Sequence, residues 1–481
     1  MDKELLKWHG GNDMRPIVVL LIAIVVLLVI ADTLENYSTA GVYWDFAVHV
    51  INGRDLLNPY FYSYMLSGHA ASGAITTTNF YAETFRSPVP SVILAVFIAL
   101  LGAWAVPAYM IGAVLFVLLS LAYFSRASGV DLALLVVVFF NPYVMFNLLL
   151  LNGQEGISMG LLVVAFALIL KQKWQAGALL ALAGLAKYPS LVFIPLLLLL
   201  PNNKKLMGLA SFIVVTLPFL AINFAVYGNP LEAYITEMGL FVSAASSSQA
   251  VMLQSLIMMF SFLVLPFLVM AYMLYRTRTT PVPVGSGDKR IVHMQSVIYS
   301  GIALGLVGWL YVARNPSIDS LPRLGYLIYT PVAIEIAILL HTAGEKMASA
   351  RHFINVRDAS LALLFCMSIG SLAAYFVLAQ QQHAIASLGT SWPGFDHAFV
   401  ENGLAQHGLM GCDVVSNDWV YLNYNNVSAY QPAAPQSQIG RMPMLVYTAA
   451  GAGVVNTSRA VASYSYDYFT LVLPRNYSCL H

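Results

Sequence analysis

Residues Ile157 to Lys205 read ISMGLLVVAFALILKQKWQAGALLALAGLAKYPSLVFIPLLLLLPNNKK. Three apolar runs, Met159 to Leu170, Ala176 to Ala186 and Leu191 to Leu200, are separated by Lys171 with Lys173, by Lys187, and end at Lys204 with Lys205. Hydrocarbon offers no water to an exposed amide, so a chain this apolar crosses a membrane as helices, whose backbone groups bond internally. The same rhythm recurs in Ile17 to Ile30, Leu206 to Val226, Val251 to Tyr275, Val297 to Val312, Tyr326 to Leu340 and Leu361 to Leu378. Of 481 residues 59% are hydrophobic and 9% charged, with mean hydropathy +0.74, whereas a soluble domain carries roughly 25% charged residues. The expectation is an α-helical polytopic membrane protein with about twelve transmembrane helices. A net charge of +1 gives no sign of a nucleic-acid partner, whose phosphates call for a basic surface.

Charge in the loops orients the bundle. Lys171 with Lys173, Lys204 with Lys205, Arg276 to Arg290, and Lys346 to Arg357 form one basic set, which marks the cytoplasmic side. Asn152 to Gly156, Tyr227 to Gln249, Arg314 to Arg323 and the tail from Gln380 then face outward. Lys3, Lys7 and Arg15 place the amino end inside, no small-residue cleavage site follows Ile17 to Ile30, and the run is read as a retained first helix. Between Pro88 and Asn152 three apolar runs stand where parity demands an even number of crossings. The two short runs around Asn141-Pro142 are read as one broken element, since proline ends a helix locally; the alternative is three full spans with the amino end outside. Asn-x-Ser/Thr sequons at Asn36, Asn426, Asn456 and Asn476 all fall in outward segments.

Composition changes at residue 380. Residues 1–379 are expected to form the transmembrane module, with 32–87 as its first outer loop, and 380–481 a small extracytoplasmic mixed α/β or β domain. Its strand-like runs are Asp413 to Val415, Trp419 to Leu422 and Phe469 to Leu473. Cys412 and Cys479 lie in this tail and Cys366 in an apolar run; a disulfide between the first two and a pair of unpaired thiols are both open.

The first outer segment concentrates acids and aromatics: Asp32, Glu35, Tyr43, Trp44, Asp45, His49, Arg54, Asp55, Tyr60, Tyr62, Glu83 and Arg86. A long loop in a compact protein tends to carry function. Val42 to Ile51 suits a short amphipathic helix that sets Asp45 and His49 one turn apart on one face, and a carboxylate beside an imidazole suits a general base. The plainer reading is that Asp45 caps or solvates that helix. Elsewhere, Lys187 ends a small-residue helix, and a charge at a helix centre in a bilayer costs roughly 2.5 to 3.5 kcal/mol. Snorkelling to the interface is the alternative to a functional role. No metal-ligand spacing and no nucleotide-cradling Gly loop stands in the chain.

The order of motifs resembles the opening of the GT-C glycosyltransferases. Tyr43-Trp44-Asp45-Phe46 is followed by Asn52-Gly53-Arg54-Asp55, Asn58-Pro59-Tyr60, Phe85-Arg86-Ser87-Pro88-Val89-Pro90, Asn152-Gly153-Gln154-Glu155, and Ala176-Gly177 through Gly184-Leu185-Ala186-Lys187-Tyr188-Pro189. Within that superfamily it looks like the polyprenyl-phosphate-mannose-dependent mannosyltransferases, although Arg54 to Asn58 intervene where that branch runs from Gly into Pro-Tyr. The resemblance implies transfer of a sugar, mannose in its narrowest form, from a polyprenyl- or dolichyl-phosphate donor to a glycan, glycolipid or protein acceptor at the outer face of the plasma membrane. It implies inversion with Asp45 as base, and His49, Asp32, Glu35 and Glu83 as rival or supporting groups. Arg86, Lys187, Arg314 and Arg323 are the expected cations for the donor phosphate, and Tyr43, Trp44, Asn152, Gln154 and Glu155 the expected contacts to acceptor or sugar. No metal or cofactor is expected beyond the lipid-linked donor. The competing reading is a secondary transporter or lipid-linked sugar flippase, for which Glu335 and His341 would supply a proton path; internal repeats, the usual sign of such a protein, are not evident.

Overall fold

The computed structural model describes residues 44–57, 86–141, 144, 154–235, 237, 260, 263–278, 289–312, 324–349, 366, 370, 404–409, 412, 414–416, 429–430, 444–447, 460–465 and 469–474. Each apolar run within them is helical: α1 Trp44–Leu56, α2 Pro88–Leu101, α3 Ala105–Ser128, α4 Leu132–Phe139, α5 Gln154–Leu170, α6 Ala176–Ala186, a 3-10 helix Tyr188–Leu199, α7 Asn202–Tyr227, α8 Val264–Arg278, α9 Lys289–Val312 and α10 Tyr326–Ser349. Four stretches are long and apolar enough to cross a membrane, Ala105–Ser128, Asn202–Ala225, Val292–Tyr311 and Tyr326–Gly344, and four shorter apolar helices pack among them. The chain is therefore an integral membrane protein of the polytopic helical class. The runs Ile17 to Ile30 and, apart from residues 366 and 370, Leu361 to Leu378 lie outside the described residues.

Two ends of the bundle are distinct. At one, the Lys171 ammonium lies 4.6 Å over the Tyr123 ring and His293 Nε2 meets the Ile169 carbonyl at 3.4 Å, so the basic loops gather there. At the other, the start of α10 meets the 3-10 helix, where Ser190 and Tyr326 bond at 2.6 Å. Helices α3 and α5 run parallel between the ends, with a Cβ on Gly160 only 2.6 Å from the Phe116 ring midway. Arg86 before α2 and Tyr109 near the start of α3 line one cavity. The return passes through α4, which Asp131 caps by accepting from the Ala133 amide at 2.7 Å. Helix α4 stops at Phe140, and the Asn141 side chain bonds the Tyr329 hydroxyl and the Val138 carbonyl. Helix α4 thus ends just before Asn141-Pro142, where the sequence predicts a break, and the run that follows lies, apart from residue 144, outside the described residues.

Helices α6 and α7 cross at Gly177 and Gly208: a Cβ on Gly177 would sit 1.9 Å from the Gly208 carbonyl oxygen. The small-residue content of Ala176–Ala186 is therefore a packing requirement, as in close helix contacts within membranes generally. The 3-10 helix that follows covers about 24 Å with its 12 residues, because its rise is about 2.0 Å per residue. Glu335 is buried in α10 beside Tyr299 of α9, within the helix interface.

Toward the carboxyl end, β1 Val414–Ser416, β2 Ala429–Tyr430, β3 Met444–Tyr447, β4 Ala460–Ser465 and β5 Phe469–Pro474 form a five-stranded sheet ordered β2-β1-β3-β5-β4. The β1 pairings are parallel, while β3–β5 and β4–β5 are antiparallel, with an irregularity at Ala460/Ala462. The sheet stands in the stretch for which the sequence predicts a mixed α/β or β domain; the expected strand Trp419 to Leu422 and the boundary at residue 380 lie outside the described residues. Cys412 is in a disulfide and Cys366 is a free thiol; Cys479 and the four sequon asparagines lie outside the described residues.

Gly177→Ala is expected to destabilise the bundle by about 1 to 3 kcal/mol through overpacking, read as a lower melting temperature in detergent. An unchanged melting temperature would mean that the α6–α7 crossing is not tight.

Candidate active site

Helix α1 is held against α2 by Gly53 and His49. A Cβ on Gly53 would meet the Ala95 amide nitrogen at 3.1 Å and the Ser91 carbonyl at 3.2 Å, so the glycine allows the close approach. His49 Nδ1 and Ser91 Oγ bond at 2.9 Å, both side chains buried. The backbone of Asp45 lies on α1 one turn before His49.

The turn into α2 is tied in turn to the end of α6. Ser87 Oγ donates to the Ala186 carbonyl at 2.9 Å, and the Tyr188 hydroxyl donates to the Arg86 carbonyl at 3.2 Å. Asn52-Gly53, Arg86-Ser87-Pro88 and Lys187-Tyr188-Pro189, far apart in the chain, therefore meet at one end of the bundle.

Lys187 is the charge at the centre of this junction. Its Nζ lies 3.9 Å from Glu155 Oε1 and 3.5 Å from Glu237 Oε1, and the three side chains are 1%, 0% and 1% exposed. Burying an ion costs several kcal/mol even after relaxation, so the ammonium requires these acids. Glu155 sits in the first turn of α5, where the helix dipole favours a carboxylate. Glu237 comes from the segment after α7. Beneath them a hydroxyl chain runs inward: Ser158 Oγ donates to the Ala183 carbonyl at 3.1 Å, Ser158 and Ser190 bond at 2.7 Å, and Ser190 meets Tyr326. The Tyr188 ring packs edge-on to Tyr234 at 5.8 Å and tilted on Phe219 at 5.9 Å, fixing the post-α7 segment over the junction.

Beside the charges opens a cavity of about 940 Å³ between α1, α2, α3, α5, α6 and α7. Its walls are apolar, with Val92, Phe97, Phe116, Leu161, Leu182 and Ile222 among them, and its polar groups include Arg86, Asn52, Tyr109, Asn223 and Tyr227. A long apolar tail bearing an anionic head fits such a space, since a guanidinium binds phosphate bidentately. Lys187 does not line the cavity.

The structure brings Arg86, Lys187, Glu155 and His49 into one neighbourhood. It places Trp44, Asp45 and Gln154 on helices α1 and α5 without describing their side chains, whereas Asp32, Glu35, Tyr43, Glu83, Asn152, Arg314 and Arg323 lie outside the described residues. Glu155, expected to contact acceptor or sugar, instead faces Lys187. Lys187, expected at the outer surface, is fully enclosed. Glu237, Tyr109 and Asn52 were not singled out as site residues from sequence; for Glu237 the available signal was an acid within the apolar-aromatic stretch Ala233-Tyr234-Ile235-Thr236-Glu237-Met238. Among the described residues no group of three or more His, Cys, Asp and Glu is arranged to hold a metal.

Among solved structures, the chain matches ArnT from Cupriavidus metallidurans bound to undecaprenyl phosphate with a TM-score of 0.64, over 96% of this chain and 98% of that one. At 12% identity the likeness is one of fold. The sequence matches no protein-family model and no curated protein.

Lys187→Met would leave Glu155 and Glu237 buried without this cation and is expected to cost about 3 to 5 kcal/mol of stability, measured as the fall in melting temperature of the purified protein. No fall would mean that water reaches both carboxylates.

Proposed function

We propose that the chain is a membrane glycosyltransferase that moves a sugar from a polyprenyl- or dolichyl-phosphate carrier to an acceptor hydroxyl. The observation that carries this reading is the cavity: about 940 Å³ walled mainly by apolar side chains, with Arg86 in its lining, in a fold shared with a protein crystallised with undecaprenyl phosphate. The donor's lipid lies between α2, α3 and α7, its phosphate beside Arg86. A lipid-linked donor needs no nucleotide-binding loop, in keeping with a chain that has none.

Chemistry at the anomeric carbon follows from these positions. Asp45, on α1, takes the proton of the acceptor hydroxyl as its oxygen attacks. The new carbon–oxygen bond forms as the bond to the phosphate oxygen breaks, and the negative charge departs on the lipid phosphate, where Arg86 stabilises it. One base opposite one leaving group inverts the anomeric centre, without the second carboxylate that a retaining reaction uses. His49, bonded to Ser91, serves as a positioning residue that fixes α1. Mannose is the narrowest form of the sugar assignment, and it rests on the motif resemblance. The same basic-loop asymmetry that orients the bundle puts this end, and the carboxyl-terminal sheet, on the outer face.

Asp45→Asn is expected to reduce transfer from a defined lipid-linked sugar by at least about a hundredfold, in line with the contribution of a general base, while undecaprenyl phosphate still binds. Full activity would remove Asp45 from the reaction. Arg86→Gln is expected to weaken undecaprenyl phosphate binding by about tenfold or more, the scale of a lost charge-assisted bond; unchanged binding would place the phosphate elsewhere.

A further inference from the structure

Helices α9 and α10 run antiparallel, and away from the basic end they touch through glycines. A Cβ on Gly305 would sit 2.2 Å from the Leu327 carbonyl oxygen, and one turn nearer the basic end a Cβ on Gly301 would sit 3.4 Å from Pro331 Cβ. The next turn of α10 carries Glu335, and there α9 offers Val297 to Tyr299 with no glycine to keep the backbones in contact. Tyr299 is 51% exposed, on the outward face of α9 with Val292 and Val307, whereas its neighbour Glu335 is 6% exposed. Tyr299 lies about 9 Å along α9 from His293, at about 1.5 Å per residue, and His293 marks the basic end.

Glu335 is the single Asp, Glu, Lys or Arg in the membrane-crossing stretch Tyr326–Gly344. The Tyr299 hydroxyl is its polar neighbour, yet neither carboxylate oxygen completes a hydrogen bond among the described residues. The buried ion pairs among those residues are the ones made by Lys187. His341 lies more than a turn further along α10, and His293 more than a turn before Tyr299. Of the other helices packed on α10, α4 has no titratable side chain, α5 has Glu155 in its first turn, and α8 has Tyr272, Tyr275 and, in its last turn, Arg276 and Arg278. A carboxylate kept from water with no paired cation is costly enough that the group takes a proton instead. A buried polar group without a partner also calls for an explanation beyond packing.

We propose that Glu335 is a modification site: an uncharged carboxylic acid under Tyr299 in the α9–α10 seam, which takes up a carbodiimide dissolved in the bilayer. The carboxyl proton passes to one carbodiimide nitrogen as a carboxyl oxygen bonds the central carbon, and the acyl group then moves from that oxygen to the other nitrogen to give a stable N-acylurea. Nothing is oxidised and no group leaves. Glu335 does not line the cavity, so the site is separate from the donor assignment.

The test uses the full-length protein in nanodiscs with dicyclohexylcarbodiimide as the probe, and mass spectrometry of the digested protein as the readout. Glu335 is expected to be labelled at least about tenfold faster than by a water-soluble cationic carbodiimide at equal concentration, because only the apolar reagent partitions to an acid away from water. No adduct at Glu335, or equal labelling by both reagents, overturns the proposal. Glu335→Gln keeps the shape without the reactive acid; it is expected to lose this adduct and to melt no lower than wild type. A clearly lower melting temperature would mean that the wild-type carboxylate is ionised and paired, which overturns the uncharged site. Neither readout involves undecaprenyl phosphate, so the cavity assignment stands or falls separately.

Discussion

The constraint on which the rest of this molecule depends is the burial of a full positive charge among apolar helices. The ammonium of Lys187 is compensated by carboxylates that α5 and the segment after α7 each bring to it. That requirement fixes which helix ends converge. Ala186, Ser87, Tyr188 and the start of α10 are then drawn together through hydrogen bonds that run from one to the next. Breaking the charge cluster would therefore disturb the register of several helices at once.

Helix length sets how deep the cluster lies. Helix α6 has 11 residues and at about 1.5 Å each reaches about 16 Å, roughly half of a 30 Å hydrocarbon core. Starting from the basic end, it stops far short of the opposite surface, and Lys187 is left recessed within the bundle. The extended 3-10 winding of Tyr188–Leu199 then returns the chain to the basic end with 12 residues. The apolar cavity opens beside this recess, so a membrane lipid and a polar reactant can meet below the level of the headgroups. A short helix, a stretched helix and a buried ion pair are three expressions of the same geometry.

Much of the helical layout is legible in the sequence because hydrocarbon leaves the backbone few alternatives. The runs Ala176 to Ala186 and Leu206 to Val226 match α6 and α7 closely, and the break at Asn141 follows from the proline after it. Arg86, Glu155 and Lys187 are legible as chemistry, since charge in an apolar setting is expensive and calls for a reason. Their partnership is not. Nothing in local sequence says that Glu155 turns toward Lys187 instead of an open cleft, because that depends on how α5 and α6 pack at Ser158 and Ala183. Glu237 is harder still: it sits in the connection after α7, where the Tyr234–Tyr188 contact, a tertiary event, holds the chain against the bundle. His49 shows the same limit, for a residue paired by spacing with Asp45 proves to be bonded to Ser91 of the neighbouring helix. The cavity has no sequence signature at all, being the space left between six helices.

The central claim is that the groove beside this charge cluster holds the tail of an isoprenoid phosphate. Photo-crosslinking with a polyprenyl phosphate that carries a photoreactive group in its chain tests it directly, with adducts mapped by mass spectrometry. Labelling concentrated on Val92, Phe116, Ile222 and their neighbours in α2, α3 and α7, and suppressed by excess undecaprenyl phosphate, is the predicted result. Labelling spread over the lipid-facing surfaces of the bundle, or insensitive to that competitor, would contradict it.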